Sequence, residues 1–311
     1  MRVLIVAAAL AALMGCSACQ RESVTGANVP RHLEKFIPSD ATILAGVDAQ
    51  GLTASPVYQR HQSELNIPLL NAAGERLGVD VRRDISHALI CWRGDNALAI
   101  LDGRFSGLDL QPRLTDAGAT QGKYRGQTVL KAGDQLLFFP RKDVFIAGAE
   151  SAVRAEIDDA GDGGVPSGLR ERLKTLRKGS QIWAVSSQGF PLSRMPLDSN
   201  SSSALSNIAG YVTGATIGIA ADSGIHFSAD LNCVSEDGAK RVHDAMRGMI
   251  GLARLATKDD QMDLLRLYDS IQVDQDHTAV RVRSDLNADL TEKLFSYLPR
   301  VTGRADRLFR H

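Results

Sequence analysis

Paired apolar runs separated by short turns are the feature that most constrains the fold of this chain. The two clearest pairs are 88–92 with 97–101, separated by the turn 94–96, and 211–221 with 225–233, separated by the turn 222–224. Such pairs predict β-hairpins, and hairpins build antiparallel sheets. The first pair is apolar on both faces, which predicts a central hairpin covered on each side. In 225–233 apolar and polar residues alternate, which predicts one face in the core and one in water.

Other segments predict further strands and amphipathic helices. Strands are expected at 41–47, 124–130, 135–139, 144–148, 181–186, 270–273 and 279–282. Helices are expected from Pro56 after the capping residue Ser55, at 151–157, at 169–176, from Ser235, and over Leu286, Leu290, Leu294 and Leu298 up to Pro299. The sequence therefore predicts an α+β fold, with antiparallel sheets built of hairpins and amphipathic helices packed on one face.

The segment 158–166 is the clearest internal break, because it holds three glycines, three acids and a proline. A boundary there separates a first α+β half, 33–160, from a second, 167–300. Both combine antiparallel hairpins with an amphipathic helix. We therefore expect two similar halves that arose by duplication.

The first residues carry a targeting pattern. Arg2 precedes an uncharged run from Val3 to Met14, which is too short to span a bilayer and is typical of a secretory signal. Leu13-Met14-Gly15-Cys16 resembles the lipobox of bacterial lipoproteins. That resemblance implies a signal peptide over 1–15 and acyl chains on Cys16, which together anchor a protein stably. The alternative is an ordinary signal peptide cleaved elsewhere.

The residues after Cys16 predict a tether and a destination. Segment 16–32 is rich in Ser, Gly, Asn, Thr and Pro, as flexible linkers are. Ser17 stands where an aspartate marks inner-membrane retention in enterobacterial lipoproteins. We therefore expect a lipid-anchored protein of the bacterial envelope, on the outer membrane and facing the periplasm.

Composition and motifs exclude several functional classes. The chain has 36 Lys and Arg against 36 Asp and Glu, so no overall field attracts nucleic acid. Glycine-rich nucleotide loops, the H-E-x-x-H zinc motif and the G-x-S-x-G nucleophile motif are absent. The sequence thus identifies no catalytic residue, no metal site, no cofactor and no nucleic-acid partner.

Local groups of histidines and acids carry little weight by their spacing. They are His61 with Glu64, Asp84 with His87, His243 with Asp244, and Asp274 with Asp276 and His277. Surface pairs and turn chemistry explain such groups without catalysis. Cys91 and Cys233 lie in apolar strand segments, which predicts two buried thiols with no bond between them.

The serine-rich segment 187–207 predicts a mobile loop. Phe190, Leu192 and Met195 are apolar residues within it, and exposed apolar residues on a loop often mark a contact surface. They are therefore candidate contacts for an envelope protein partner. The alternative is that they fix the loop to the body.

Several motifs together resemble uncharacterised bacterial envelope lipoproteins, such as those abundant in myxobacteria. They are the lipobox, the segment Ile37-Pro38-Ser39-Asp40-Ala41, and the stretch Val47-Asp48-x-x-x-Leu52-x-x-Ser55-Pro56. The resemblance implies architecture and location, and no activity. Three functions stay open: a non-enzymatic binding or interaction module, a carrier of lipid or another apolar ligand between sheet and helices, and a hydrolase with scattered catalytic groups.

Overall fold

A single antiparallel sheet of twelve strands forms the centre of the protein. The computed structural model describes residues 29–63, 79–80, 82–94, 96–105, 110–159, 161–189, 208–258 and 260–305, with side chains up to 297. The predicted α+β class is confirmed. The expectation of several sheets is wrong, because the hairpins join edge to edge into one.

The strands run in chain order from β1 to β12. They are β1 Ile43–Asp48, β2 Ile85–Arg93, β3 Asn96–Gly103, β4 Thr120–Tyr124, β5 Gln127–Ala132, β6 Gln135–Arg141, β7 Val144–Ala149, β8 Ile182–Ser186, β9 Val212–Ala221, β10 Ile225–Cys233, β11 Ile271–Asp276 and β12 Ala279–Leu286. Across the sheet their order is β11-β12-β10-β9-β8-β1-β2-β3-β7-β6-β5-β4.

Nine helices accompany these strands in the described part of the chain. They are α1 Arg31–Glu34, α2 Ala49–Ala54, α3 Pro56–His61, α4 Leu110–Asp116, α5 Glu150–Asp158, α6 Ser167–Leu173, α7 Glu236–Leu255, α8 Met262–Asp269 and α9 Ala288–Ala305. The side chains of Ser55 and Ser235 cap α3 and α7, as the sequence predicted. None of these helices combines the length and the apolar character needed to cross a membrane.

The middle of the sheet joins the two ranges that the segment 158–166 separates in sequence. Strand β1 pairs with β2 on one side and with β8 on the other. Within the segment, the amides of Gly163 and Gly164 donate to the carbonyls of Lys35 and Ile37. The division into 33–160 and 167–300 stays a prediction.

The helices cover both faces of the sheet, so their predicted placement on one face is wrong. One core cluster joins Leu33 of α1, Val153 of α5 and Leu169 of α6 to strand residues such as Val129. Leu130 follows Val129 directly and packs instead with α4. Because successive strand residues point to opposite faces, α4 lies on the other side of the sheet.

The opposite face also carries α3, α7 and α9, whose core residues pack with β9, β10 and β12. A twelve-stranded sheet presents two apolar faces, and each needs helices. Strands β2 and β3 lie inside the strand order, as predicted. Ile90 of β2 is nevertheless 39% exposed, so the sheet is not fully covered there.

Several boundaries differ from the predicted ones, and Leu286, which was expected in the last helix, ends strand β12. The expected strand 124–130 is two strands, β4 and β5, separated by Arg125 and Gly126, which both have positive φ angles of 51° and 80°. Helix α9 continues through Pro299 to Ala305. A proline removes one backbone hydrogen bond and bends a helix without always ending it.

Candidate ligand pocket around Glu156

Helix α5 buries an acidic side chain among apolar ones. Its buried residues are Ala152, Val153, Glu156 and Ile157. Their spacing places all four on the side of the helix that packs against β6, β7 and β3. Glu156 is only 4% exposed.

A pocket of about 230 Å³ adjoins this side chain. Its apolar walls are Phe36, Phe138, Pro140 and Ile157, and Lys35 and Gln127 add one ammonium and one amide group. Phe36 follows α1, whereas Phe138 and Pro140 come from β6. The pocket therefore lies between the sheet and helices α1 and α5.

The carboxyl group of Glu156 is unusual because one of its buried oxygens has no hydrogen bond to offset the loss of water. Its Oε1 atom is buried and has no hydrogen-bond partner. Burial raises the pKa of Glu156 to about 8, with repulsion from Asp159 adding to the rise and attraction to Arg93 opposing it. At neutral pH the group is therefore mostly protonated.

This arrangement suits a ligand that brings a positive hydrogen-bond donor. An ammonium group would donate a hydrogen bond to Oε1. It would also displace the proton of Glu156, because its positive charge would balance the negative charge of the carboxylate. Aromatic faces attract cations, and the ring of Phe36 already has Nζ of Lys35 at 4.8 Å from its centroid. The pocket combines an acid with aromatic walls.

A second polar cluster lies at the end of β3. The carboxylate of Asp102 accepts hydrogen bonds from Nε2 of His32 at 2.9 Å and from Nδ1 of His87 at 3.0 Å. These hydrogen bonds fix the orientation of both imidazole rings, which is also how a carboxylate orients a histidine that acts as a general base. Among the described residues, no serine, threonine or cysteine forms a hydrogen bond with either ring.

The site residues that the sequence predicted are not part of the described structure. Cys16, Phe190, Leu192 and Met195 fall outside the described residues, as do the segments 1–15 and 16–28, and their roles stay predictions. Two of the other three cysteines behave as expected, because Cys91 and Cys233 are buried free thiols in different core clusters.

Two of the local histidine groups form side-chain contacts, His243 with Asp244 at 2.9 Å and His277 with Asp276 at 3.9 Å, whereas Asp84 and His87 do not pair with each other. Asp84 bonds to Arg83, and His87 bonds to Asp102 instead. His61 is buried rather than solvated, because its ring stacks on Phe295 with centroids 4.0 Å apart. Among the described residues, no group of three or more His, Cys, Asp or Glu side chains could hold a metal ion.

Glu156 was missed in the sequence although a signal existed. It lies three residues after Val153 and four after Ala152, within the apolar stripe of the predicted helix 151–157. An acid in such a stripe is a reason to expect a pocket or a partner.

Comparison with known proteins places the chain near one set of solved structures. No family model and no curated protein matches the sequence. The fold is similar to crystal forms I, III and IV of TP0453, with 11%, 10% and 9% identity and TM-scores of 0.46, 0.49 and 0.47. The matches cover 88%, 84% and 85% of this chain and 99%, 97% and 95% of the other chains.

Proposed function

We propose that the protein is a non-enzymatic binding module of the bacterial envelope that holds a small organic amine in the Glu156 pocket. Acyl chains on Cys16 anchor it to the outer membrane, with the body in the periplasm. The lipobox supports the anchor. The observation that carries the binding function is the buried, unpartnered Oε1 of Glu156 beside an apolar pocket.

The size and chemistry of the pocket limit its ligand. Pockets for drug-sized molecules span about 300–1,000 Å³, so one of about 230 Å³ suits a smaller molecule. The walls favour an apolar body and the carboxyl group favours an amine. A short alkylammonium or arylalkylammonium ion meets both requirements.

Two similar halves are also part of this proposal. In each range a short helix after a proline, Pro30 or Pro166, precedes a central strand, β1 or β8. A hairpin follows, and a later strand, β7 or β12, returns to pair with its second strand before a helix. An experimental structure in which β1, β2, β3 and β7 of the first half do not superpose on β8, β9, β10 and β12 of the second would contradict duplication.

The anchor is tested by detergent-phase partitioning of the full chain in a bacterial host. Cys16→Ala is expected to abolish partitioning into the detergent phase. Cys19→Ala, three residues further on, is the matched control and is expected to partition as wild type does. Unchanged partitioning of the Cys16→Ala protein would rule out the anchor.

The pocket is tested by calorimetric titration with n-butylamine at neutral pH, with butanoate as the probe of opposite charge. We expect saturable binding of the amine and none of the acid. Glu156→Gln should weaken the amine affinity at least about tenfold, since it removes a charge that the ligand would neutralise. Glu150 is a half-buried acid on the same helix that pairs with Lys131 and Arg154, and Glu150→Gln should leave the affinity unchanged. Equal affinity in the two variants would refute the proposal.

A further inference from the structure

A polar groove of about 620 Å³ lies between α6 and the strands β9, β10 and β12. It occupies the polar side of β10, which the sequence predicted to face water. Three arginines line it: Arg172 from α6, and Arg281 and Arg283 from β12. The groove is separate from the Glu156 pocket, with which it shares no lining residue.

Arg172 is a partly buried cation that lacks a carboxylate partner in the described structure. Its Nη1 atom donates to Oδ1 of Asn232 at 2.6 Å, which is a neutral acceptor. Burial lowers its pKa, because the charged form loses water without gaining an opposite charge. A bound anion would supply that charge.

The Arg172 guanidinium lies directly over Gly214 of β9, where a Cβ atom would overlap it. The missing side chain of Gly214 leaves the space that the guanidinium occupies. Together with the hydrogen bond to Asn232, this contact places the guanidinium on the polar side of the sheet.

The β12 arginines add positive charge that is only partly balanced. Arg281 and Arg283 are separated by one residue, Val282, so both point to the same side of the sheet. Nη2 of Arg283 lies 3.8 Å from Oδ1 of Asp230, and Nε of Arg281 lies 3.6 Å from the same oxygen. Asp276 also pairs with Arg281, at 3.0 Å. Among the residues that the structure describes, Arg283 therefore has only a long contact with one carboxylate, which it shares with Arg281.

The other groove residues allow an anion to bind. The acid Glu171 is engaged by Lys174 at 2.6 Å, which reduces its repulsion of an anion. The hydroxyl of Thr175 lies at the groove and donates to Thr216 at 3.3 Å. Guanidinium groups donate in pairs to tetrahedral oxyanions, and phosphate carries nearly two negative charges at neutral pH.

We infer that this groove is a binding site for a phosphate group, held between Arg172 and Arg283. The phosphate can belong to a water-soluble phosphate ester or to the headgroup of an anionic phospholipid. Both sources offer anionic phosphate oxygens to the arginines; a monoester carries nearly two negative charges, whereas the phosphodiester of a phospholipid headgroup carries one.

The test is a titration of the full chain in a neutral detergent, followed by calorimetry. The probes are inorganic phosphate, glycerol 3-phosphate, and mixed micelles containing phosphatidylglycerol. Saturable binding of any of the three is expected. Binding of the first two indicates a soluble ester, and binding of the micelles alone indicates a lipid headgroup.

Three variants separate a site from general electrostatic attraction. Arg172→Gln and Arg283→Gln should each weaken binding at least about tenfold. Arg177→Gln makes the same charge change outside the groove, where Arg177 pairs with Asp285 at 3.0 Å, and should change affinity less than about twofold. Arg283 is half exposed, so its loss tests the site even if Arg172→Gln impairs folding. Equal weakening by Arg283→Gln and Arg177→Gln, or no saturable binding, would overturn the inference.

Discussion

Oδ2 of Asp102 lies 2.9 Å from Nε2 of His32, so a hydrogen bond joins the first helix to the third strand across 70 residues of sequence. The other carboxylate oxygen holds His87, and Asp48 lies 3.9 Å from the far nitrogen of that ring. Burial lowers the pKa of His87, but the hydrogen bond and charge of Asp102 and the charge of Asp48 outweigh burial. The net pKa is raised.

His87→Gln is therefore expected to destabilise the protein in a pH-dependent way. A histidine with a raised folded-state pKa stabilises the fold fully below its unfolded-state value of about 6.5. The contribution is lost as the pH rises through the folded-state value. Below about pH 6 the variant should lose about 1–3 kcal/mol of unfolding free energy, as for hydrogen bonds to charged groups. Urea unfolding at several pH values measures this difference.

His277→Asn is the control for general histidine titration. His277 lies in the β11–β12 turn with its side chain 83% exposed, and asparagine tolerates its positive φ angle of 49°. This variant should show no comparable pH dependence. If the loss in His87→Gln is constant across the range, the charged hydrogen bond to Asp102 does not stabilise the fold.

Glu156 is expected to make the protein less stable as the pH rises. Its pKa is about 8 in the fold against 4.5 in the reference state, so the folded protein binds the extra proton between these values. Folding stability then falls with pH across that window. Glu156→Gln should remove this slope in urea unfolding, whereas Glu150→Gln should keep it. If the unfolding free energy of Glu156→Gln still falls with pH as steeply as that of the wild type, a group other than Glu156 causes the pH dependence.

Replacement of Gly46 in the central strand is expected to lower the stability of the fold. It lies opposite Trp183 of β8, and a Cβ atom at position 46 would overlap the indole ring. Trp183 is 2% exposed, so its indole is buried in the core. Gly46→Ala should therefore cost about 1–3 kcal/mol of unfolding free energy, as overpacked cores do.

The matched control is Gly122→Ala in the edge strand β4. The nearest atom to a Cβ there is Cγ2 of Val129, at 3.8 Å, which is ordinary contact. Denaturant unfolding followed by tryptophan fluorescence compares the two variants. Equal effects would show that the indole does not restrict position 46.

Hydrophobic periodicity predicted most elements because it reports which faces are buried. The hairpins β2–β3 and β9–β10 and the helices α3, α5 and α7 follow from apolar spacing and from serine caps. The turn at Arg125 and Gly126 was missed because Arg-Gly is not among the usual two-residue hairpin sequences. Helices α1, α2, α4 and α8 were also missed.

The joining of the hairpins into one sheet could not be predicted, because no local sequence pattern indicates which strands pair when they are far apart in the chain. The pairing of β1 with β8 and the approach of Arg172 to Asn232 both depend on that long-range order. The candidate pocket is a similar case. Phe36, Phe138 and Glu156 come together only when the sheet and two helices are assembled.

The protonation of Glu156 is the most direct test of the binding function. Carbon-13 NMR of protein labelled at glutamate carboxyl carbons follows this group, assigned by its absence in Glu156→Gln. Without ligand its resonance should titrate with a midpoint of about 8, and saturating n-butylamine should move the midpoint well below neutral pH. A midpoint near the ordinary glutamate value without ligand, or one that the amine leaves unchanged, would contradict an amine pocket at Glu156.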